Sequence, residues 1–445
     1  MNQAPPLSTQ SDTHTSGKLF PAGQLLPFAL VTVLFFIWGM SNNLTDILVQ
    51  QFKKSFELSP LEAQLVQTAV FFGYFCMALP AALAARRWGY KASILLGLLL
   101  FGIGTLMFWP AAVIGRYWLM LTALYFVGCG SATLETSANP FIAQTGPPES
   151  STRRLNFSQA FNPPGTIVGV FVGTYFIFSG VELSADRVAE MKAQGTYLSY
   201  LHGELMRVVP TYVCLGICVL ALAAIITAVR FPASEREESL GAGGTGAAHE
   251  IFALLRTPQV MGAVVTQFCY CGAQVATWSA FIPYMKQYTA APERTAAWFL
   301  TGNLIAFALG RAISTAIMRW FNPSRMMTVY AVINIVLVAV GVLDPGAVGA
   351  GALLISSFFM SIMFPTIFAQ GVRGLGAQTK LASSLIVMSI VGAAIVPPVV
   401  GLIAKHTGSY ALGYSAVAVC YLAVVIYGIR TGTERASRAN SAHIH

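Results

Sequence analysis

The chain has 445 residues, of which 56% are hydrophobic and only 10% charged, with a mean hydropathy of +0.66 and a formal net charge of +9. So much apolar surface exceeds what a water-soluble globule can bury, so the chain is expected to be an integral membrane protein. Its positive charge then reads as membrane topology and not as affinity for nucleic acid.

Residues 1–24 are polar and lack the basic start and short apolar core of a signal peptide, so they are expected to form a loose tail. From there the chain divides into twelve apolar runs of about 20 residues or more, each long enough to cross a bilayer as a helix. The expected spans are 25–49, 61–85, 92–112, 117–143, 155–180, 208–230, 258–285, 295–318, 325–343, 348–370, 381–403 and 411–430. Residues 231–257 hold Glu235, Arg236, Glu237 and Glu238 and then a Gly/Ala run, which reads as a linker. The expected plan is therefore a six-helix bundle over 25–230, a linker over 231–257, a second bundle over 258–430 and a tail over 431–445.

Lys and Arg favour the even-numbered loops and the tails (Arg86, Arg87, Lys91, Arg153, Arg154, Arg319, Arg325, Arg373, Lys380) over the odd-numbered loops. That bias predicts that both termini are cytoplasmic. The seven cysteines are scattered through apolar segments without a CxxC pair or a histidine neighbour, so packing is expected of them and no metal site. The six histidines fall in tails or loops, which leaves no histidine for a relay through the membrane.

Two carboxylates lie inside spans, Asp46 in the first and Glu135 in the fourth. An ionisable side chain in hydrocarbon is costly and by default marks function, so both are candidates for proton coupling. Residues three or four apart share a helix face, which places Asn42 and Asn43 with Asp46, and Ser131 and Asn139 with Glu135. On the fifth span Ser158, Gln159 and Asn162 share a side, and on the seventh Gln267, Tyr270, Gln274 and Trp278 form a stripe. Amides, carboxylates and aromatic faces suit a neutral polyol, whose hydroxyls must regain hydrogen bonds on leaving water. An anion would call for several Lys or Arg. Arg311 lies within the eighth span on the face of Asn303 and Phe307, where a structural or gating role is expected. Gly169 and Gly173 form a GxxxG expected to bring two helices close.

Two six-span bundles, each made of three-helix units, form the architecture of major facilitator transporters, in which spans 1, 4, 7 and 10 line a central cavity. The segments NNLTDILVQQFKKSFELS (Asn42 to Ser59), FFGYF (Phe71 to Phe75), LETSANPF (Leu134 to Phe141), RLNFSQAFN (Arg154 to Asn162), QFCYCGAQVATWS (Gln267 to Ser279) and FPTIF (Phe364 to Phe368) closely resemble the bacterial fucose:proton symporter family of that superfamily. The loop ARRWGYK (Ala85 to Lys91) lacks the usual acidic residue of the general transporter motif.

The resemblance implies a monomeric sugar:proton symporter of a bacterial inner membrane, with H⁺ as coupling ion and no cofactor. Asp46 and Glu135 match the family's proton-coupling carboxylates and Asn162 the amide that works with Glu135 at the sugar. Asn43 and Gln159 match further polar cavity positions, and Phe307 an aromatic one. Met363-Phe364 stands where the family has a Gln-Tyr pair, so Phe364 faces the substrate from a less polar wall, and Pro163-Pro164-Gly165 replaces a Ser-containing turn. L-fucose is the first expectation for the substrate, with galactose, glucose or arabinose as alternatives. The residues alone leave Na⁺ coupling open. An exporter of apolar compounds would leave the amides of spans 1 and 5 without a role. A membrane sensor would call for a further cytoplasmic domain, and an intramembrane enzyme for a nucleophile and base, so none is expected.

Overall fold

The computed structural model describes residues 25–58, 60–178, 183–231, 247–289 and 293–442; the expected tail 1–24 and most of the expected linker, 232–246, lie outside the described residues. The first half runs through α1 (Leu25–Ser55), α2 (Pro60–Leu106), α3 (Phe108–Ile114), α4 (Tyr117–Gln144), α5 (Ser151–Gln159), α6 (Asn162–Val172), α7 (Ala185–Ala193), α8 (Tyr197–Met206) and α9 (Val208–Ala228). After α10 (Ala247–Arg256), the second half continues with α11 (Pro258–Ser279), α12 (Phe281–Thr289), α13 (Glu293–Ile317), α14 (Pro323–Leu343) and α15 (Ala347–Met360). It closes with α16 (Met363–Gly371), α17 (Thr379–Met388), α18 (Gly392–Thr407), α19 (Tyr410–Gly413) and α20 (Ser415–Ala442), and no strand occurs among the described residues.

Among the described residues nine helical stretches are long and apolar enough to cross a membrane. One of them, Leu65–Ile114, holds two of the expected spans, because the chain turns back at Gly89 (φ 83°, ψ 170°). That conformation is open almost only to glycine. The reversal lets the Ser93 hydroxyl donate to the Ala81 carbonyl at 3.2 Å. The fifth and seventh expected spans are not among the nine. The fifth is broken between α5 and α6, where Pro163 and Pro164 cannot donate to the preceding turn, and it ends in a π-helical turn at Gly173–Ile177. In the seventh, α11, glutamines at 259, 267 and 274 dilute the apolar content. Both exceptions are spans expected to carry functional polar groups.

Close packing follows the small residues. A Cβ on Gly169 would run into the backbone carbonyl of Met40, so α6 lies against α1 at a distance only glycine permits. The expected GxxxG thus serves the α1–α6 contact. Part of the expected linker, Ala247–Arg256, is helix α10, and the helix of the twelfth span runs on to Ala442.

Candidate substrate and coupling site

Glu135 sits mid-way along α4 and is 1% exposed, with neither carboxyl oxygen hydrogen-bonded among the described residues. The Tyr74 hydroxyl and the Asn139 amide approach it from α2 and from one turn along α4 without closing a bond, and Cys271 of α11 lies within electrostatic reach. Asn139 and Gln159 form a buried pair, the Gln159 Nε2 donating to the Asn139 Oδ1 at 3.1 Å. The Asn139 Nδ2 is left without an acceptor. In α11, Gln267 is fully buried, its Nε2 donating to the Cys271 Sγ at 3.6 Å while its Oε1 has no donor. Buried polar atoms are almost always satisfied. A group of unmet donors and acceptors around one carboxylate, contributed by both halves, is what a polyhydroxyl ligand would complete.

A second cluster lies in the other half. Trp278 packs edge-on against Phe307, with ring centroids 5.2 Å apart and planes at 85°, and its Nε1 donates to the Ser357 hydroxyl at 3.2 Å. Ser357 donates on to the Asn303 Oδ1 at 2.8 Å. Gln274 is half-buried, one turn before Trp278 on the same helix. Phe364 is half-buried and Met363 fully buried at the start of α16, so this wall is apolar. An aromatic floor with a few polar groups suits a ring that presents C–H on one face and hydroxyls at its edge.

Asn162 opens α6 half-buried, its Nδ2 donating to the Phe35 carbonyl at 3.3 Å, and Asn43 is half-buried where α1 meets Gly169. Asp46 belongs to the same helix, but its side chain lies outside the described residues. Tyr270 turns away from the amides. It is fully buried and its hydroxyl donates to the Met360 carbonyl at 3.0 Å, at the break between α15 and α16. Arg311 is 4% exposed; its Nε donates to the Ser361 carbonyl at 2.7 Å, its Nη1 to the Gln159 carbonyl at 3.0 Å, and its guanidinium stacks 4.6 Å from the Phe307 ring centroid.

Over residues 30–389 the chain matches the Major Facilitator Superfamily. It belongs to that superfamily. Members are transporters, not enzymes, and the all-helical architecture is theirs: two pseudo-symmetric six-helix bundles. The chain is 37% identical over 404 residues to the L-fucose-proton symporter of Escherichia coli, covering 91% of this chain and 92% of that protein. It is 32% identical over 411 residues to the glucose/galactose transporter of Brucella abortus, covering 90% and 93%. A crystal structure of FucP in the outward conformation matches with a TM-score of 0.84 at 36% identity, over 92% of this chain and 99% of that one.

In this major facilitator chain, further polar contacts tie the first bundle to α10 and to the second bundle. Arg86 forms a bidentate pair with Glu250 of α10, at 2.6 and 3.0 Å, and Lys380 lies 4.9 Å from the Tyr90 ring centroid. Deeper in, Asn156 and Thr366 stand 3.5 Å apart, as do Gln370 and Thr152. Arg154, fully buried, holds the turn between α4 and α5 by donating to the carbonyls of Ile142, Ala143 and Pro147.

Sequence reasoning expected Glu135, Gln159, Gln267, Trp278 and Phe307 to line the site and did not assign Tyr74, Ser357 or Cys271 to it. Tyr74 had a signal in the FFGYF segment. Cys271 had the same kind of signal in QFCYCGAQVATWS, whereas Ser357 had none, because a serine in an apolar helix looks the same whether it faces a neighbour or a cavity.

Proposed function

We propose that this chain is a proton-coupled symporter importing a neutral monosaccharide, L-fucose first, by alternating access of its two bundles. The observation that carries the reading is Glu135, a buried carboxyl group without a hydrogen-bond partner among the described residues, with the Asn139–Gln159 amide pair one turn away and Gln267 of the other half reaching it through Cys271. A carboxyl so placed can accept a sugar hydroxyl or hold a proton, and doing one changes the other, which is the linkage a symporter needs. The names of the relatives, an L-fucose-proton symporter and a glucose/galactose transporter, point the same way.

In this reading Asn43, Gln159, Asn162, Gln267 and Gln274 hydrogen-bond the sugar while Trp278, Phe307 and Phe364 receive its apolar face. Tyr270 acts from behind this layer by holding the α15–α16 break. Asp46 is the entry site for the proton and Glu135 couples it to the sugar. The bundles extend over 25–230 and 258–430, the chain works as a monomer in a bacterial inner membrane, and the end closed by Arg86–Glu250 faces the cytoplasm with both termini. That arrangement is outward-facing. A second substrate reading, galactose or glucose, is supported by the name of the Brucella abortus relative, a glucose/galactose transporter.

Uptake of labelled L-fucose into proteoliposomes, with and without an inward pH gradient and with galactose, glucose and arabinose as competitors, tests the proposal. Gradient-dependent uptake of one of these sugars is expected. Uptake that follows a Na⁺ gradient instead, or no uptake of any of them, would overturn it.

A further inference from the structure

The two contacts of Arg311 share a feature that the distances alone do not reveal. In an α-helix the carbonyl of one residue accepts from the N–H four residues on. For Gln159 that position is Pro163, and for Ser361 it is Pro365, so neither carbonyl has an intrahelical donor. These two carbonyls, one from each bundle, are the ones that Arg311 takes, Gln159 at 3.0 Å through Nη1 and Ser361 at 2.7 Å through Nε. The neighbouring carbonyl at the α15–α16 break, Met360, is taken by the Tyr270 hydroxyl. A guanidinium presents its donors in a fixed fork, and the Phe307 ring beneath it sets the plane. The C-terminal ends of α5 and α15, where helix dipoles leave negative charge, also favour a cation.

We infer that Arg311 is a positioning residue: by satisfying two proline-freed carbonyls it fixes the break of the fifth span, which carries Gln159 and Asn162, against the break of the tenth, which carries Phe364. It therefore sets the spacing between the amide wall and the apolar wall of the site, and it ties the bundles together in the arrangement with the Arg86–Glu250 end closed. Rocking the bundles apart at this level breaks the Gln159 contact and leaves the Ser361 contact, which lies within one bundle, intact.

The inference rests on the sugar-transport reading for its kinetic readout, so a sugar-independent measurement accompanies it. Spin labels on Trp88→Cys and Ala377→Cys, both exposed at the closed end, report the separation of the bundles in a background whose native cysteines are serine. Without sugar, Arg311→Gln is expected to raise the long-distance population at least threefold, and in uptake to raise KM about tenfold while leaving the dependence on the pH gradient intact. Arg311→Lys, which reaches at most one carbonyl with a point charge, is expected to recover part of both effects. Pro163→Ala restores an N–H to pair with the Gln159 carbonyl, so it is expected to shift the distances in the same direction and to make Arg311→Gln less harmful in its presence. Unchanged distances in Arg311→Gln, or effects of the two substitutions that simply multiply, would overturn the inference. If Arg311→Gln does not fold, unchanged distances in Pro163→Ala and Arg311→Lys overturn it instead. Failure of the wild-type chain to carry any sugar would refute the transport reading while leaving the distance measurement to decide on Arg311.

Discussion

Replacing Glu135 with glutamine separates folding from coupling. The carboxyl group is 1% exposed and neither oxygen has a hydrogen-bond partner among the described residues, so a charge there would gain no hydrogen bond from them. An unpaired buried ion costs several kcal/mol, whereas a neutral buried polar group without a partner costs about 1–3 kcal/mol. Glutamine has nearly the same shape, is never charged, and can donate where the acid would. Glu135→Gln should therefore leave stability unchanged or raise it by up to about 1 kcal/mol, although it removes a functional group. Coupling should be lost. With one proton per sugar, a gradient of one pH unit is worth about 1.4 kcal/mol and supports about tenfold accumulation. The variant should reach an inside-to-outside ratio of about one under the same gradient, while exchange of internal for external sugar, which needs no net proton movement, continues. Proteoliposome accumulation and counterflow measured side by side, with thermal unfolding in detergent as control, read all three quantities. Tenfold accumulation by Glu135→Gln would refute the assignment, and a loss of stability of 3 kcal/mol or more would show that the carboxyl group is held by contacts that the structure does not contain.

Further outcomes follow from other parts of the molecule. Phe307→Leu removes the edge-on partner of Trp278, an interaction of about 0.5–1.5 kcal/mol, so KM for the sugar should rise about threefold to tenfold with little change in kcat. Gly169→Leu would press a side chain into the Met40 backbone and should destabilise the α1–α6 contact by about 1–3 kcal/mol or more, seen as a lower unfolding temperature and a smaller folded fraction after extraction. The Arg86–Glu250 pair is about a quarter exposed on each side, so Glu250→Gln should cost less than about 1 kcal/mol and alter the transport rate less than about fivefold, an effect that fades in high salt. Asp46→Asn should abolish proton-coupled accumulation; preserved accumulation would remove Asp46 from the coupling path.

What the sequence determines by itself is whatever depends on composition and local spacing. A bilayer admits only backbone that satisfies its own hydrogen bonds, so apolar runs of the right length declare helices without reference to their neighbours. The break of the fifth span is legible in the same local way, because Pro163 and Pro164 lack the N–H that the preceding turn needs. Asp46 and Glu135 stand out for a local reason too, since charge inside such runs is rare. The register of Gly169 and Gly173 announces a close helix contact, though not that α1 is the partner. Tertiary structure alone decides which residues meet across the bundles. The apolar run of α13 gives no sign that Arg311 reaches the Gln159 carbonyl, 152 residues earlier in the chain. Nor does the stripe on α11 reveal that Tyr270 turns to the Met360 carbonyl while Trp278 turns to Phe307. Hydrogen bonds and aromatic contacts depend on distances of a few ångströms between helices, and hydropathy, which reports only the medium a face meets, carries no information about them.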